Sequence, residues 1–237
     1  MPGIFRFKQF NVDQTGCAMK VNTDGVLLGA LVNAENPENI LDIGTGTGVI
    51  ALMLAQRFTN AHIDAVEIDG SAAQTATGNF NNSKFANRLT CYPEGFKSFL
   101  EYSSEKKYDL IVSNPPFHIH SLKSRAKNEA LAKHADELFF EDLVNTISLH
   151  LTKYGLCCLI LPLQTAVLVK DLIVKAHLYL HKIINLYSFE DSVPHREILF
   201  FGLQYTKLIE EKFVIYNQPN IYSLQYREAL KDFLTIF

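Results

Sequence analysis

With 237 residues, 48% of them hydrophobic and 20% charged, the chain has ordinary globular composition. It is enough for one large α/β domain or two small ones, and unlike disordered, collagenous or coiled-coil sequences. Its 22 Lys+Arg against 25 Asp+Glu leave a net charge of −3, so contact with nucleic acid must be local rather than spread over the surface. The longest nearly apolar stretches, residues 26–32 and 156–163, fall far short of the roughly 18 needed to cross a bilayer. The start, Met1-Pro2-Gly3 running into Phe5-Arg6-Phe7-Lys8, lacks the apolar core and cleavage site of a secretory signal, so a cytoplasmic protein off the membrane is expected. Cys17, Cys91, Cys157 and Cys158 form no C-x-x-C pair. They are read as reduced, buried thiols rather than metal ligands, with Cys157 and Cys158 on opposite faces of a strand.

Apolar periodicity then alternates between strand and helix along the chain. Residues 39–43 read as a strand ending at Gly44, 49–58 as a helix, 62–68 as a strand, and 71–83 as a helix. Strands follow at 89–92 and 108–113, an amphipathic helix at 139–151, a fully buried strand at 156–161 and a helix at 164–176. Two late β-rich runs, 179–189 and 199–205, are joined by the irregular 190–197 and suit an antiparallel pair at a sheet edge. The pattern predicts a doubly wound, mostly parallel α/β sheet of seven strands with a reversed edge strand. Residues 1–237 read as one domain, with 1–38 as an N-terminal extension. Ligands of such sheets bind beyond the carboxyl ends of the strands.

The first such end carries Asp42-Ile43-Gly44-Thr45-Gly46-Thr47-Gly48. Glycines here let a ligand lie against bare main chain at a helix start. A dinucleotide fingerprint needs a Gly or Ala where Val49 stands, and Asp42 would repel a pyrophosphate but could pair with a cationic ammonium or sulfonium. Glu67 ends the second strand 19 residues beyond Gly48, where a carboxylate can accept both hydroxyls of a ribose.

Past the fourth predicted strand stands Ser113-Asn114-Pro115-Pro116-Phe117. Successive prolines fix φ, remove two donors and keep Asn114 out of helical geometry, which makes a rigid turn presenting carbonyls. Such a turn suits methyl transfer to a planar nitrogen. The Asn114 side-chain carbonyl and the Pro115 main-chain carbonyl can each accept one N–H, so that the nitrogen pyramidalises, while Phe117 stacks on the base.

Asp42, the loop glycines and Glu67 together resemble the adenosylmethionine motif of Rossmann-like class I methyltransferases. The resemblance implies that Glu67 holds the ribose, that Asp42, Gly44, Thr45, Gly46 and Gly48 lie beside the methionine moiety, that Glu94 approaches the adenine, and that Ile68 and Asn114 also belong to the cofactor site. With Gln14, Met19 to Ala30, Asn114 to Phe117, Ser121 to Ser124, Ala132-Lys133-His134 and the tail Tyr222-Ser223, Tyr226, Lys231-Asp232-Phe233, the chain resembles the bacterial tRNA1(Val) (adenine37-N6)-methyltransferases over nearly its whole length. That resemblance implies S-adenosylmethionine as cofactor, a tRNA anticodon loop as substrate, and an N-terminal segment closing over the cofactor through Thr23 and Asp24. Thr23 or Asp24 could equally be a helix cap.

Lys123, Arg125, Lys127 and Lys133 are phosphate-contact candidates downstream of the turn, with His134 beside them and Arg196 on the late hairpin. Lys133 stands where the family carries Arg, keeping charge but losing bidentate pairing. Three rivals stay open: a glutamine-N5 methyltransferase of release factors, a guanine-N2 rRNA methyltransferase, and an inactive cofactor binder.

Overall fold

The computed structural model describes residues 3–116 and 129–237, and side chains within the latter from His134 onward. A short hairpin, β1 (Ile4–Arg6) and β2 (Asn11–Asp13), precedes α1 (Thr23–Leu31). Then come β3 (Asn39–Ile43), α2 (Val49–Arg57), β4 (His62–Val66), α3 (Gly70–Asn81), β5 (Leu89–Tyr92), α4 (Phe96–Tyr102), β6 (Tyr108–Ser113), α5 (Glu129–His150), β7 (Leu151–Leu161) and α6 (Leu163–Lys175). The chain continues through β8 (Tyr179–Tyr187), β9 (Pro194–Gly202), β10 (Ile209–Val214), the small pair β11 (Tyr216–Gln218) and β12 (Ile221–Tyr222), and α7 (Leu224–Leu230).

One sheet of eight strands, ordered β10-β8-β9-β7-β6-β3-β4-β5, forms the middle layer. Its central strands β3, β4 and β6 are buried on both faces because helices cover both. Leu41, Ile43, Ile111 and Leu159 meet α4, α5 and α6 on one side, whereas Ile40, Leu110, Val112 and Ile160 meet α1, α2, α3 and α7 on the other. Cys157 and Cys158 divide between those two cores as expected. Cys17 and Cys91, expected to be buried, are only half-buried.

The predicted mostly parallel α/β architecture is present, with two differences of detail. The reversed strand is β9, which lies between β7 and β8, antiparallel to both, rather than at the edge. The edge is an eighth strand, β10, parallel to β8. Its exposed Glu210, Glu211 and Lys212 hide it from an apolar-pattern search, and such charges suit an edge strand that must not recruit another chain. Helix α5 begins ten residues ahead of its predicted start, because the core-facing Phe140, Leu143, Val144 and Ile147 all lie in its second half.

Candidate active site

Three adjacent strands end in register. Ile43 pairs with Val66 on one side and Ser113 on the other, so Gly44, Glu67 and Asn114 emerge at the same level of the carboxyl edge. Ser113 Oγ donates to the Ile43 carbonyl at 2.8 Å and ties the two tips that matter most. Glu67 and Asn114 open onto one cavity of about 820 Å³, within the roughly 300–1,000 Å³ of small-molecule sites.

The glycine loop is built around left-handed backbone. Gly44, Gly46 and Gly48 have φ of 71°, 55° and 81°. An ideal Cβ at Gly44 or Gly46 would meet nothing within 4 Å, whereas at Gly48 it would fall 2.5 Å from Phe80 Cε1. The first two glycines therefore leave bare main chain facing the cavity, and the third lets α2 start against α3. Glu67 is held in place before any ligand arrives: its Oε2 accepts from Gly46 N and its Oε1 from Asp69 N, each at 2.9 Å. Each carboxylate oxygen still has a lone pair for a hydroxyl. Beside it Ile68 is 81% exposed, an apolar side chain on the cavity wall with nothing covering it. Glu94 lines the same wall.

Asp42 does not line the cavity. It is fully buried beneath the loop, where its Oδ2 accepts from Thr45 Oγ1 at 2.6 Å. Burial pushes its carboxyl up to about 7; the Thr45 hydrogen bond and the Ala51 amide pull the other way, and Glu67 adds repulsion. It sits as a brace under the loop, on β3 between β4 and β6, and its Oδ1 is buried without a hydrogen-bond partner among the described residues.

At the turn, Asn114 is half-buried, Pro115 buried and Pro116 exposed, and all three line the cavity. Asn114 Oδ1 is buried with no hydrogen-bond partner among the described residues. An orphaned acceptor of this kind costs about 1–3 kcal/mol unless a ligand supplies a donor. Phe117, Lys123, Arg125 and Lys127 lie outside the described residues, as does the Lys133 side chain. His134 is exposed at the start of α5 and does not line the cavity.

Thr23 and Asp24 are not on the cavity wall either. The cap of α1 is Asn22, whose Oδ1 accepts from Gly25 N at 2.9 Å, one residue ahead of the expected caps. Asp24 instead pairs with Arg196 Nε at 2.8 Å, so the arginine expected to meet RNA anchors α1 to β9. Next to it His195 Nδ1 is buried without a partner, and burial first, then Arg196, hold its pKa down while Asp24 draws it up.

Sequence reasoning missed several wall residues. Cys17, Lys20, Asn22 and Gly25 come from the N-terminal segment, and Phe139 and Asp142 from α5. The asparagine three residues ahead of Gly25 was a legible cap signal. The approach of Phe139 to Phe96, with ring centroids 5.8 Å apart, was not legible from any spacing.

The doubly wound sheet, with its glycine loop and the Asn-Pro-Pro turn at one carboxyl edge, is the fold of class I methyltransferases. A predicted O-methyltransferase from Agrobacterium tumefaciens shares it with a TM-score of 0.67 at 14% identity, over 89% of this chain and 96% of that one. A precorrin-6y C5,15-methyltransferase from Geobacter metallireducens does so with a TM-score of 0.51 at 14% identity, over 78% and 90%. The family model described as methyltransferase small domain matches residues 17–142, from the N-terminal wall of the cavity to Asp142.

Curated tRNA1(Val) (adenine(37)-N6)-methyltransferases match almost end to end. The Pedobacter heparinus protein is 44% identical over 237 residues, all of both chains. That of Flavobacterium psychrophilum is 41% identical over 97% of this chain and 98% of its own, and that of Haemophilus influenzae 37% over 98% and 99%. The chain belongs to the tRNA1(Val) (adenine(37)-N6)-methyltransferase family. Among the described residues no helix is long and apolar enough to cross a membrane, and no group of three or more His, Cys, Asp or Glu is arranged to hold a metal ion.

Proposed function

We propose that the protein transfers the methyl group of S-adenosylmethionine to N6 of an adenine in a tRNA anticodon loop, position 37 of tRNA1(Val), in the cytoplasm. The observation that carries this reading is the orphaned Asn114 Oδ1 at the wall it shares with the glycine loop and Glu67. The residues present fit the cofactor. Gly44 and Gly46 leave open main chain, the Glu67 carboxylate is pre-oriented for two ribose hydroxyls, and exposed Ile68 offers an apolar face to a purine. When bound, S-adenosylmethionine supplies an electrophilic sulfonium methyl.

The chain's own residues then handle the nucleophile. The lone pair of an exocyclic adenine amine is conjugated with the ring. Asn114 Oδ1 and the Pro115 carbonyl each accept one N–H, which favours the pyramidal nitrogen and directs its lone pair along one line. The two prolines that follow Asn114 keep that geometry from relaxing, so the rate comes from positioning and electrostatics rather than from a strong base. Phe117 is assigned the stacking role and Glu94 the cofactor's adenine. Residues 17–25 close over the methionine end as part of an extension covering 1–38, a reading supported by Cys17, Lys20 and Asn22 on the cavity wall. Lys123, Arg125, Lys127 and Lys133 are assigned to loop phosphates. Adenine must leave its stack to reach the turn, which an anticodon loop permits at modest cost.

Incubation with labelled S-adenosylmethionine and either total tRNA or total protein, followed by nucleoside mapping, tests the reading. Label in N6-methyladenine supports it. Label in protein favours glutamine-N5 transfer, and cofactor binding without label favours an inactive binder.

A further inference from the structure

S-adenosylmethionine carries two cationic groups, the sulfonium and the α-ammonium, and one anion, the α-carboxylate. The cavity wall is rich in acids and short of cations. Among the described residues four carboxylates line it, Glu67, Asp69, Glu94 and Asp142, against two lysines, Lys20 and Lys97. That surplus suits the positive groups of the ligand and repels its carboxylate. Lys97 is already engaged, with Nζ 2.9 Å from Asp142 Oδ2. It stands in the first turn of α4, next to Phe96 and its ring partner Phe139, on the Glu94 side of the cavity.

Lys20 is the cation left over. It is exposed, lines the cavity, and has no hydrogen-bond or ion-pair partner among the described residues. It lies on the strap that runs from Thr15, whose carbonyl accepts from Thr75 Oγ1 of α3, to the Asn22 cap of α1. The main chain on both sides of it is pinned. Gln14 Oε1 accepts from Val21 N at 2.8 Å, and the Lys20 carbonyl accepts from Asn22 Nδ2 at 3.3 Å. The fold therefore presents this lysine at a set place on the wall and leaves only its own rotamers free. Ile43, Ile50 and Val66 make the neighbouring wall apolar, so a ligand that covers the lysine also takes an ion pair partly out of water, where it is screened less than on an open surface. We propose that Lys20 holds the α-carboxylate of S-adenosylmethionine and, by anchoring the methionine tail, fixes the sulfonium relative to the Asn114 turn. The proposal rests on the reading above that places the ribose on Glu67 and the methionine end under residues 17–25.

The test titrates the full-length protein calorimetrically with S-adenosylhomocysteine and with its α-carboxamide, which differs by the loss of the negative charge. Wild type, Lys20→Met, Lys20→Arg and Glu67→Gln are compared. Lys20→Met is expected to bind S-adenosylhomocysteine about tenfold more weakly than wild type does, and the carboxamide within about twofold of wild type. Wild type itself is expected to prefer the carboxylate ligand about tenfold, a preference that Lys20→Met abolishes and Lys20→Arg largely restores. Glu67→Gln is expected to weaken both ligands by the same factor. An equal loss for the two ligands in Lys20→Met would mean that the lysine acts through the strap rather than on the carboxylate. Unchanged affinity for S-adenosylhomocysteine in that variant would mean that main-chain amides hold the group. Either result overturns the role of Lys20 while leaving the cofactor reading intact. If Glu67→Gln binds both ligands as wild type does, the placement of the ribose fails and this proposal with it.

Discussion

Arg196 Nε donates to Asp24 Oδ2 at 2.8 Å across 172 positions of sequence, and the pair joins the first turn of α1 to the start of the one reversed strand. Both side chains are mostly covered, 26% and 17% exposed, so water screens the pair less than it would on an open surface. The same α1 turn carries Gly25, where the space for a Cβ ends 3.8 Å from Asn114 Nδ2. The pair therefore holds the helix that backs Asn114. Arg196→Met and Asp24→Asn are each expected to lower unfolding free energy by about 1–2 kcal/mol, and the double variant by little more than the larger single loss. Urea denaturation of the four proteins measures this; strictly additive losses would mean that the two side chains do not act together.

Asn114 and Glu67 sit on one cavity wall but are assigned different work, and their variants should separate it. Asn114→Ala is expected to reduce kcat by about 10²–10³ with cofactor affinity nearly intact. Glu67→Gln is expected to weaken cofactor binding by about tenfold or more, since an amide replaces a charged acceptor. Calorimetric titration with the cofactor and single-turnover methylation at saturating cofactor distinguish them. Wild-type turnover in Asn114→Ala removes the proposed role of the turn.

The loop glycines make a second contrast. Gly48→Ala forces both a left-handed φ and a clash with Phe80, so a stability loss above about 2 kcal/mol is expected. Gly46→Ala meets no neighbour; its stability loss is expected to stay near the roughly 1–2 kcal/mol of backbone strain, with the larger effect on cofactor affinity. Thermal melts with and without cofactor check the order, and equal stability losses would contradict the steric account.

Asp42 gives the fold a pH dependence of definite sign. Its carboxyl is raised from 3.8 to about 7 by burial. Between those values the unfolded chain has lost the proton that the folded chain keeps. Stability therefore falls as pH rises through that window, by up to about 1.4 kcal/mol per unit, and levels off above it. Asp42→Asn keeps an acceptor for Thr45 but cannot ionise, so the variant is expected to gain on the wild type steadily from pH 4 to pH 7. Denaturant midpoints at several pH values decide this, and parallel curves for the two proteins would exclude it.

Much of this molecule was legible without coordinates, for reasons that are local. Residues 39–43, 89–92 and 108–113 are strands with the bounds expected from their apolar runs, because Gly44, Pro93 and Asn114-Pro115 stop the runs at one end and Glu38, Arg88 and Lys107 stand at the other. The glycine loop and the Asn-Pro-Pro turn were legible because φ restrictions act within a residue or two of their cause. Once those turns follow neighbouring parallel strands, a shared carboxyl edge is forced by topology, and Glu67 and Asn114 meet there. Tertiary structure alone decided the rest. It buried Asp42, paired Arg196 with Asp24, moved the α1 cap to Asn22, slipped β9 inside the sheet and added β10 at its rim. Each of those outcomes depends on which distant segment supplies the facing atoms. A charged side chain reads the same in sequence whether it meets solvent, a phosphate or a partner from the far end of the chain.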